Sequence, residues 1–284
     1  VSQAEHGPEP GRGDFAPGDW LLLVDERDRE FLVAAPAEGQ VMRVKGEALE
    51  AGAVAGLHDG ELLVTPRRRR YLVFRPTLEK IVMNMPREAQ VIYPKDLSTL
   101  LVWADVAPGM RVAEVGCGHG ALTMTLLRAL GPQGRLTSFD LRRDHLNRTR
   151  KHIAQFLGPE AVERWEPVHG DPSAEGLAGG PYQRLLTDVP EPWELIPAAS
   201  RGLARGGVWA AYMPTVMQMG RLIEELNAVP AFSLAQGFET LQRFWHVRPP
   251  SVRPAHNMKA HTGFIVTCRR RWHAPAPEPP PPET

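Results

Sequence analysis

Several things are scarce in this 284-residue chain. It has two cysteines, Cys117 and Cys268, which match no disulfide framework and no metal-ligand spacing. A reducing, cytoplasmic setting and no metal are therefore expected. No apolar run approaches the roughly 20 residues that cross a bilayer, so no membrane partner is expected. The opening VSQAEHGPEPGRGD lacks an apolar signal core, which argues against secretion. Net charge is also missing, because 33 basic and 33 acidic side chains cancel. Nucleic-acid binders commonly carry a basic surplus, so such a role must rest on where the charge sits. Lysine is rare: Lys45, Lys80, Lys95, Lys151 and Lys259 are the full set, and every other basic residue is arginine. The arginines cluster at Arg67 to Arg70, at Arg142 and Arg143 with Arg148, Arg150, Lys151 and His152, and at Arg269 to Arg271. A guanidinium fork suits phosphate, although a solvated charged surface explains any single cluster as well.

Composition and rhythm divide the chain into five parts. Residues 1–18 are rich in Gly, Pro and charge and read as disordered. Residues 19–75 carry short apolar segments (DWLLLVD, REFLVAA, GQVMRV, ELLVT, RYLVFRP) between turn-like stretches such as GEALEAGAVAG, which predicts a small β-rich domain. Residues 76–96 form a connecting segment. From 97 to 273 strands and helices alternate, which predicts a doubly wound α/β domain. FSLAQGFETLQRFWHV and HTGFIVTCRR read as its late strands. The Pro-rich, acidic tail 274–284 reads as an extended, disordered extension.

Chemistry concentrates at strand ends. Glu114-Val115-Gly116-Cys117-Gly118-His119-Gly120 follows the strand RVAEV and opens the helix ALTMTLLRAL. Glycines let a backbone turn tightly and approach a ligand, and ligands of α/β sheets bind at the carboxyl ends of strands. The G-x-G-x-G spacing differs from the dinucleotide fingerprint. Glu114, two residues ahead of Gly116, would repel a pyrophosphate and suits the positive end of S-adenosylmethionine. Asp140 ends the next strand, where a carboxylate can accept from both hydroxyls of a ribose. His119 and Cys117 read as space-filling loop positions, with the thiol buried and inert. Asp188-Val189-Pro190-Glu191-Pro192-Trp193 ends another strand, at the carboxyl edge of the sheet opposite the glycine loop. The prolines stiffen that loop. Asp188 reads as functional, whereas Trp193 reads as core packing or as a stacking surface.

The order Gln90-Val91-Ile92-Tyr93-Pro94-Lys95-Asp96, EVGCGHGALT, DVPEPW, Ala211-Tyr212-Met213-Pro214 and His261-Thr262-Gly263-Phe264 resembles the tRNA adenosine-58 N1-methyltransferases. The resemblance covers roughly residues 14–272. It implies a Rossmann-like class I methyltransferase domain behind a small N-terminal β-rich domain, S-adenosylmethionine as cofactor, a tRNA substrate and a homotetramer. It also implies site roles. Gly116, Gly118 and Gly120 would cradle the donor, with Cys117, His119, Ala121, Leu122 and Leu141 alongside. Asp140 would hold its ribose and Asp171 its adenine amino group, while Gln90 and Tyr93 would border the pocket. Asp188 would contact the target adenine, Tyr93 and Tyr212 would line the acceptor cavity, and His261 would brace its edge. Cys117 and His119 stand where the family usually has Thr and Ser, and GQVMRV replaces a histidine-rich stretch before Lys45-Gly46. The competing readings are a methyltransferase with another acceptor, such as a protein carboxylate or small molecule, and a non-catalytic tRNA-binding subunit.

Overall fold

The computed structural model describes residues 15–84 and 91–272. Residues 1–14, the tail 274–284 and Gln90 lie outside the described residues. Phe15, expected to be disordered with residues 1–18, is instead buried, because its ring packs into a core with Leu21, Leu23 and Val73. Contacts divide the chain into two compact units between residues 86 and 87.

The first unit is built from β1 (Trp20–Asp25), β2 (Glu30–Ala34), β3 (Val41–Val44), β4 (Glu47–Glu50), β5 (Glu61–Val64) and β6 (Arg70–Phe74), with the short helix α1 (Leu78–Asn84) after them. Four strands form an antiparallel sheet in the order β2-β1-β6-β5. Leu21, Leu23, Leu63, Tyr71 and Val73 alternate inward along these strands and share one core with Met42, Val44 and Leu49. The β3–β4 hairpin corrects the sequence reading, which took GEALEA as turn. Lys45 and Gly46 both adopt positive φ (48° and 74°), as a two-residue hairpin turn demands. Glu47 is then drawn inward, where it accepts from Thr65 Oγ1 (2.9 Å) and the Arg67 amide (3.0 Å).

The second unit runs α2 (Pro94–Trp103), β7 (Arg111–Val115), α3 (Ala121–Leu130), β8 (Arg135–Asp140), α4 (Arg143–Leu157), α5 (Pro159–Glu163), β9 (Trp165–His169), α6 (Pro172–Glu175), β10 (Tyr182–Asp188), α7 (Ile196–Gly202), β11 (Leu203–Met213), α8 (Val216–Ala228), β12 (Phe232–Phe238), β13 (Trp245–Arg248), β14 (Ser251–Pro254) and β15 (Phe264–Arg270). Seven strands form one sheet in the order β12-β15-β11-β10-β7-β8-β9. The five from β11 to β9 are parallel, and β15 and β12 add antiparallel at one edge. This is the expected Rossmann-like α/β sheet; the segment 76–96, read as a connector, carries α1 and the start of α2. The strands are nearly continuous apolar runs because helices cover them, and Leu185, Trp209, Ala211 and Val266 are buried among them.

After β7 the chain moves outward to β8 and β9, then returns to place β10 on the other side of β7. The carboxyl ends of β7 and β10 therefore open a crevice at the switch in strand order. The segment read as one late strand is divided. β12 stops at Phe238, and a separate β13–β14 hairpin comes after it.

Candidate active site

A cavity of about 650 Å³ opens at the carboxyl ends of β7, β8, β9, β10 and β11. Gly116, Cys117, Gly118, His119, Ala121 and Leu122 line it from the first loop, Asp140 and Leu141 from the second, Asp171 from the third and Asp188 from the fourth. One cavity thus collects most of the residues singled out in the sequence.

The first loop is shaped by close approaches. Gly116 has φ 87°, and a Cβ there would lie 3.0 Å from the Asp188 carbonyl carbon and collide with its oxygen. Gly118 has φ 49° and nothing within 4 Å of where its Cβ would be, so the floor of the loop stays open to the cavity. Gly120 works differently from the expectation. It is not on the cavity wall; its missing side chain lets Thr149 of α4 sit 3.0 Å from the Cβ position. It also caps α3 in a left-handed conformation (φ 86°).

Asp140 ties this loop to the next. Its Oδ2 accepts from the amides of Cys117 (3.1 Å) and Gly118 (3.3 Å) and pairs with His145 Nδ1 at 3.2 Å, and its Oδ1 accepts from the Arg142 amide at 2.8 Å. Asp171 caps α6, and Ser173 N (2.9 Å) and Oγ (2.7 Å) both bond to its Oδ1. Cys117 is buried, and desolvation, then Glu114 and Asp140, push its thiol far up, so it stays protonated as expected. His119 is a buried part of the wall, and its carbonyl accepts from His152 Nδ1 at 2.8 Å.

Asp188 keeps part of its surface open to the cavity. Among the described residues none donates a hydrogen bond to its carboxylate. Desolvation, reinforced by the Asp140 charge, raises its pKa from 3.8 to about 7. A carboxyl so placed gains from any cationic or donor group brought to it.

Besides Gly120, three more expected site residues sit off the cavity wall. Glu114 lies behind the loop, fully buried and off the cavity wall. Its Oε2 accepts from Thr123 Oγ1 (2.8 Å) and Ser138 Oγ (2.5 Å), and desolvation pushes its carboxyl up to about 8. It is a largely neutral hydrogen-bonded brace rather than a charge facing a ligand. Tyr212 pairs beside Asp188 across the β10–β11 ladder, but its phenol donates to Thr262 O at 2.8 Å and is absent from the wall. Gly263 leaves room for its ring, since a Cβ there would strike it. Tyr93 is also off the wall; its ring lies under the Lys259 ammonium (4.0 Å), which bonds its hydroxyl at 2.5 Å. Trp193 packs against the core and under the Arg221 guanidinium at 4.0 Å, which favours its structural reading.

Two features escaped the sequence. The first is a clasp. Asp96, fully buried, accepts from Thr240 Oγ1 (2.6 Å) and Thr262 Oγ1 (2.6 Å) and pairs with Lys95 (2.7 Å), whose ammonium also reaches Thr240 O (2.8 Å). The Lys95-Asp96 pair thus fastens the start of α2 to the segment between β12 and β15. His261 extends that edge, with Nδ1 3.1 Å from Glu239 and Nε2 3.0 Å from the carbonyl of Pro214, a wall residue. The Glu239 carboxylate raises the pKa of His261. The second is the rim formed by Arg142, His145, Glu194 and Gln218. No spacing rule points to them, because they come from three separate loops and helices.

Comparison with known proteins decides the family. Residues 70–263 match the family described as tRNA methyltransferase complex GCD14 subunit. A tRNA (adenine(58)-N(1))-methyltransferase of Thermus thermophilus is 34% identical over 89% of this chain and 97% of its own length. The chain belongs to the tRNA adenosine-58 N1-methyltransferase family. Members are S-adenosylmethionine-dependent, and the fold agrees. A crystal structure of the tRNA (m1A58) methyltransferase from Aquifex aeolicus superposes with a TM-score of 0.76 at 26% identity, covering 92% of this chain and all of that one. One of an S-adenosylmethionine-dependent O-methyltransferase from Thermotoga maritima gives 0.85 at 28%, covering 93% and 97%.

The residues present fit this family's donor. The glycine floor at Gly118 is open, the Asp140 and Asp171 carboxylates reach the cavity, and the wall between them is largely apolar (Val115, Phe139, Leu122). A purine nucleoside with a charged tail asks for such a mixture. Among the described residues no helix is long and apolar enough to cross a membrane, and no group of His, Cys, Asp and Glu could hold a metal ion.

Proposed function

We propose that the protein transfers a methyl group from S-adenosylmethionine to N1 of adenosine 58 in the T-loop of tRNA. The observation that carries this reading is Asp188: a carboxyl without a hydrogen-bond donor among the described residues, facing the cavity and packed through its main chain against the donor loop.

Gly116, Cys117, Gly118, His119, Ala121 and Leu122 form the floor for the donor, Asp140 and Leu141 meet its ribose side, and Asp171 meets its adenine amino group. When bound, S-adenosylmethionine would supply an electrophilic methyl group for the N1 lone pair, the sulfur–methyl bonding pair returning to sulfur and the positive charge moving to the adenine ring. N1 is unprotonated near neutral pH, so no general base is needed. Asp188 accepts from the exocyclic amino group of the target adenine and stabilises the growing positive charge. The approaching cation in turn favours the ionised carboxylate. Fixing the base against Asp188 also contributes alignment.

N1 lies on the pairing edge, so the adenosine must leave the folded loop, at a cost of a few kcal/mol. Tyr93 and Tyr212 act from behind the wall. Tyr212 holds the 262–263 segment through its hydroxyl, and Tyr93 is bonded to Lys259. His261 braces the same edge. We read the working assembly as a homotetramer, supported by exposed Phe244, Trp245, Val247 and Val252 on and beside the β13–β14 hairpin.

An oxygen acceptor is the second reading, since a carboxyl near pH 7 also suits a base that deprotonates a hydroxyl. Labelled methyl transfer separates the two. Incorporation into unmodified tRNA at an adenine nitrogen is expected; label confined to protein or small-molecule hydroxyls and carboxylates would reverse the assignment.

A further inference from the structure

The three arginine clusters are used differently. Arg69 donates to Lys45 O (2.9 Å), and Arg269 and Arg270 donate to Gly206 O (2.8 Å) and Ser200 O (2.5 Å), so their guanidinium groups are partly committed to the fold. The cluster on α4 is laid out otherwise. Leu146, Thr149 and Ile153 bury one face of that helix. Arg143, Asn147, Arg150 and Lys151 fall at spacings of four, seven and eight residues, so they share the opposite face, and all four are exposed. Among the described residues no carboxylate lies within ion-pair distance of Arg143, Arg150 or Lys151. Arg150 rests over the Trp165 ring at 5.4 Å, which steers its guanidinium without neutralising it. The only acid on the helix, Asp144, is paired with Arg142 at 2.7 Å. The stripe begins beside the cavity, whose rim includes Arg142 and His145. From Arg143 to Lys151 it runs about 12 Å at 1.5 Å per residue.

We propose that the exposed face of α4 is a track for the tRNA sugar-phosphate backbone, reached when the target adenosine enters the cavity. This inference rests on the tRNA reading above and deepens it. A chain with no net charge has no general attraction for a polyanion, so a local row of uncompensated cations that starts next to the cavity residue Arg142 and leads away from it is where phosphates are held. A guanidinium or ammonium neutralising a phosphate releases counterions, so each contact leaves a signature in the salt dependence of binding.

The test measures binding of unmodified tRNA by the full chain across a potassium chloride series, with donor affinity by calorimetry as a second readout. The triple variant R143Q/R150Q/K151Q is expected to lower the slope of log affinity against log salt by about 2–3, at roughly 0.7–0.9 per lost contact. Its tRNA affinity at fixed moderate salt is expected to fall about tenfold or more, with the S-adenosylmethionine dissociation constant within twofold of the unaltered chain. R143K/R150K keeps the charge and is expected to keep the slope. Unchanged slope and affinity in the triple variant would overturn the assignment, as would an equal loss in the charge-conserving variant. No tRNA binding by the unaltered chain would defeat the proposed function itself; a salt-dependent complex untouched by the α4 changes defeats only this track.

Discussion

Gly116 and Asp188 are in main-chain contact: a Cβ on residue 116 would lie 3.0 Å from the Asp188 carbonyl carbon. The loop proposed to carry the methyl donor and the residue whose carboxylate is proposed to meet the acceptor are therefore packed directly against each other. Gly116→Ala is expected to break this contact twice, by collision with Asp188 and by strain at φ 87°. Loss of measurable donor binding and a drop in melting temperature should result. Near-native calorimetric affinity in the alanine variant would show that the two loops move independently.

Asp188 is proposed to carry the chemistry. Asp188→Asn is expected to bind donor normally and to lose about 10²–10³ in turnover, the scale of removing one group that stabilises developing charge. The pH profile gives a second reading. With its pKa raised to about 7 by burial and Asp140, the ionised form is lost as pH falls through that value. Single-turnover rates should decline below about pH 7 in the unaltered enzyme and stay flat in Asp188→Asn. A profile shared by both would assign the pH dependence to another group.

Asp140 is proposed to contact ribose while its own oxygens fasten the Cys117–Gly118 loop. Asp140→Ala is expected to raise the donor dissociation constant at least tenfold, by calorimetry. An unchanged constant would contradict the ribose role.

Glu114 provides a stability test. Burial raises its carboxyl from 4.5 to about 8, so the protonated form favours the fold. That contribution is full below about pH 4.5 and is lost as pH rises through about 8. Asp188 adds a slope of the same sign. Glu114→Gln should therefore melt at a temperature less sensitive to pH between 6 and 9 than the unaltered protein. Its donor affinity should remain within about threefold. A large loss of donor affinity would return Glu114 to the binding site.

Much of this was legible in the sequence because strand ends and turns leave local marks. RVAEV is the strand β7 residue for residue, β8 and β10 end at Asp140 and Asp188 as read, and the glycine loop and Asp171 lie just beyond the carboxyl ends of strands. Side-chain direction was not legible. In strands buried on both faces, alternation does not reveal which face meets a cavity, and so Glu114 and Tyr212 were expected on the wall. The clasp was hidden for another reason: Asp96 meets Thr240 and Thr262, partners 144 and 166 residues away in sequence. The same contacts explain why the late strand is interrupted, since Thr240 lies just past the end of β12 and is bonded to Lys95 and Asp96. The β4 strand was missed because Ala48 and Gly52 make its neighbourhood look like loop, although Leu49 points into the core.

The most direct test is nucleotide mapping by mass spectrometry of tRNA that lacks the modification, after incubation with the purified enzyme and S-adenosylmethionine. The expected product is 1-methyladenosine at position 58, formed by the unaltered enzyme and nearly absent with Asp188→Asn. Methylation at another atom or position, or equal product from that variant, would contradict the proposed reaction.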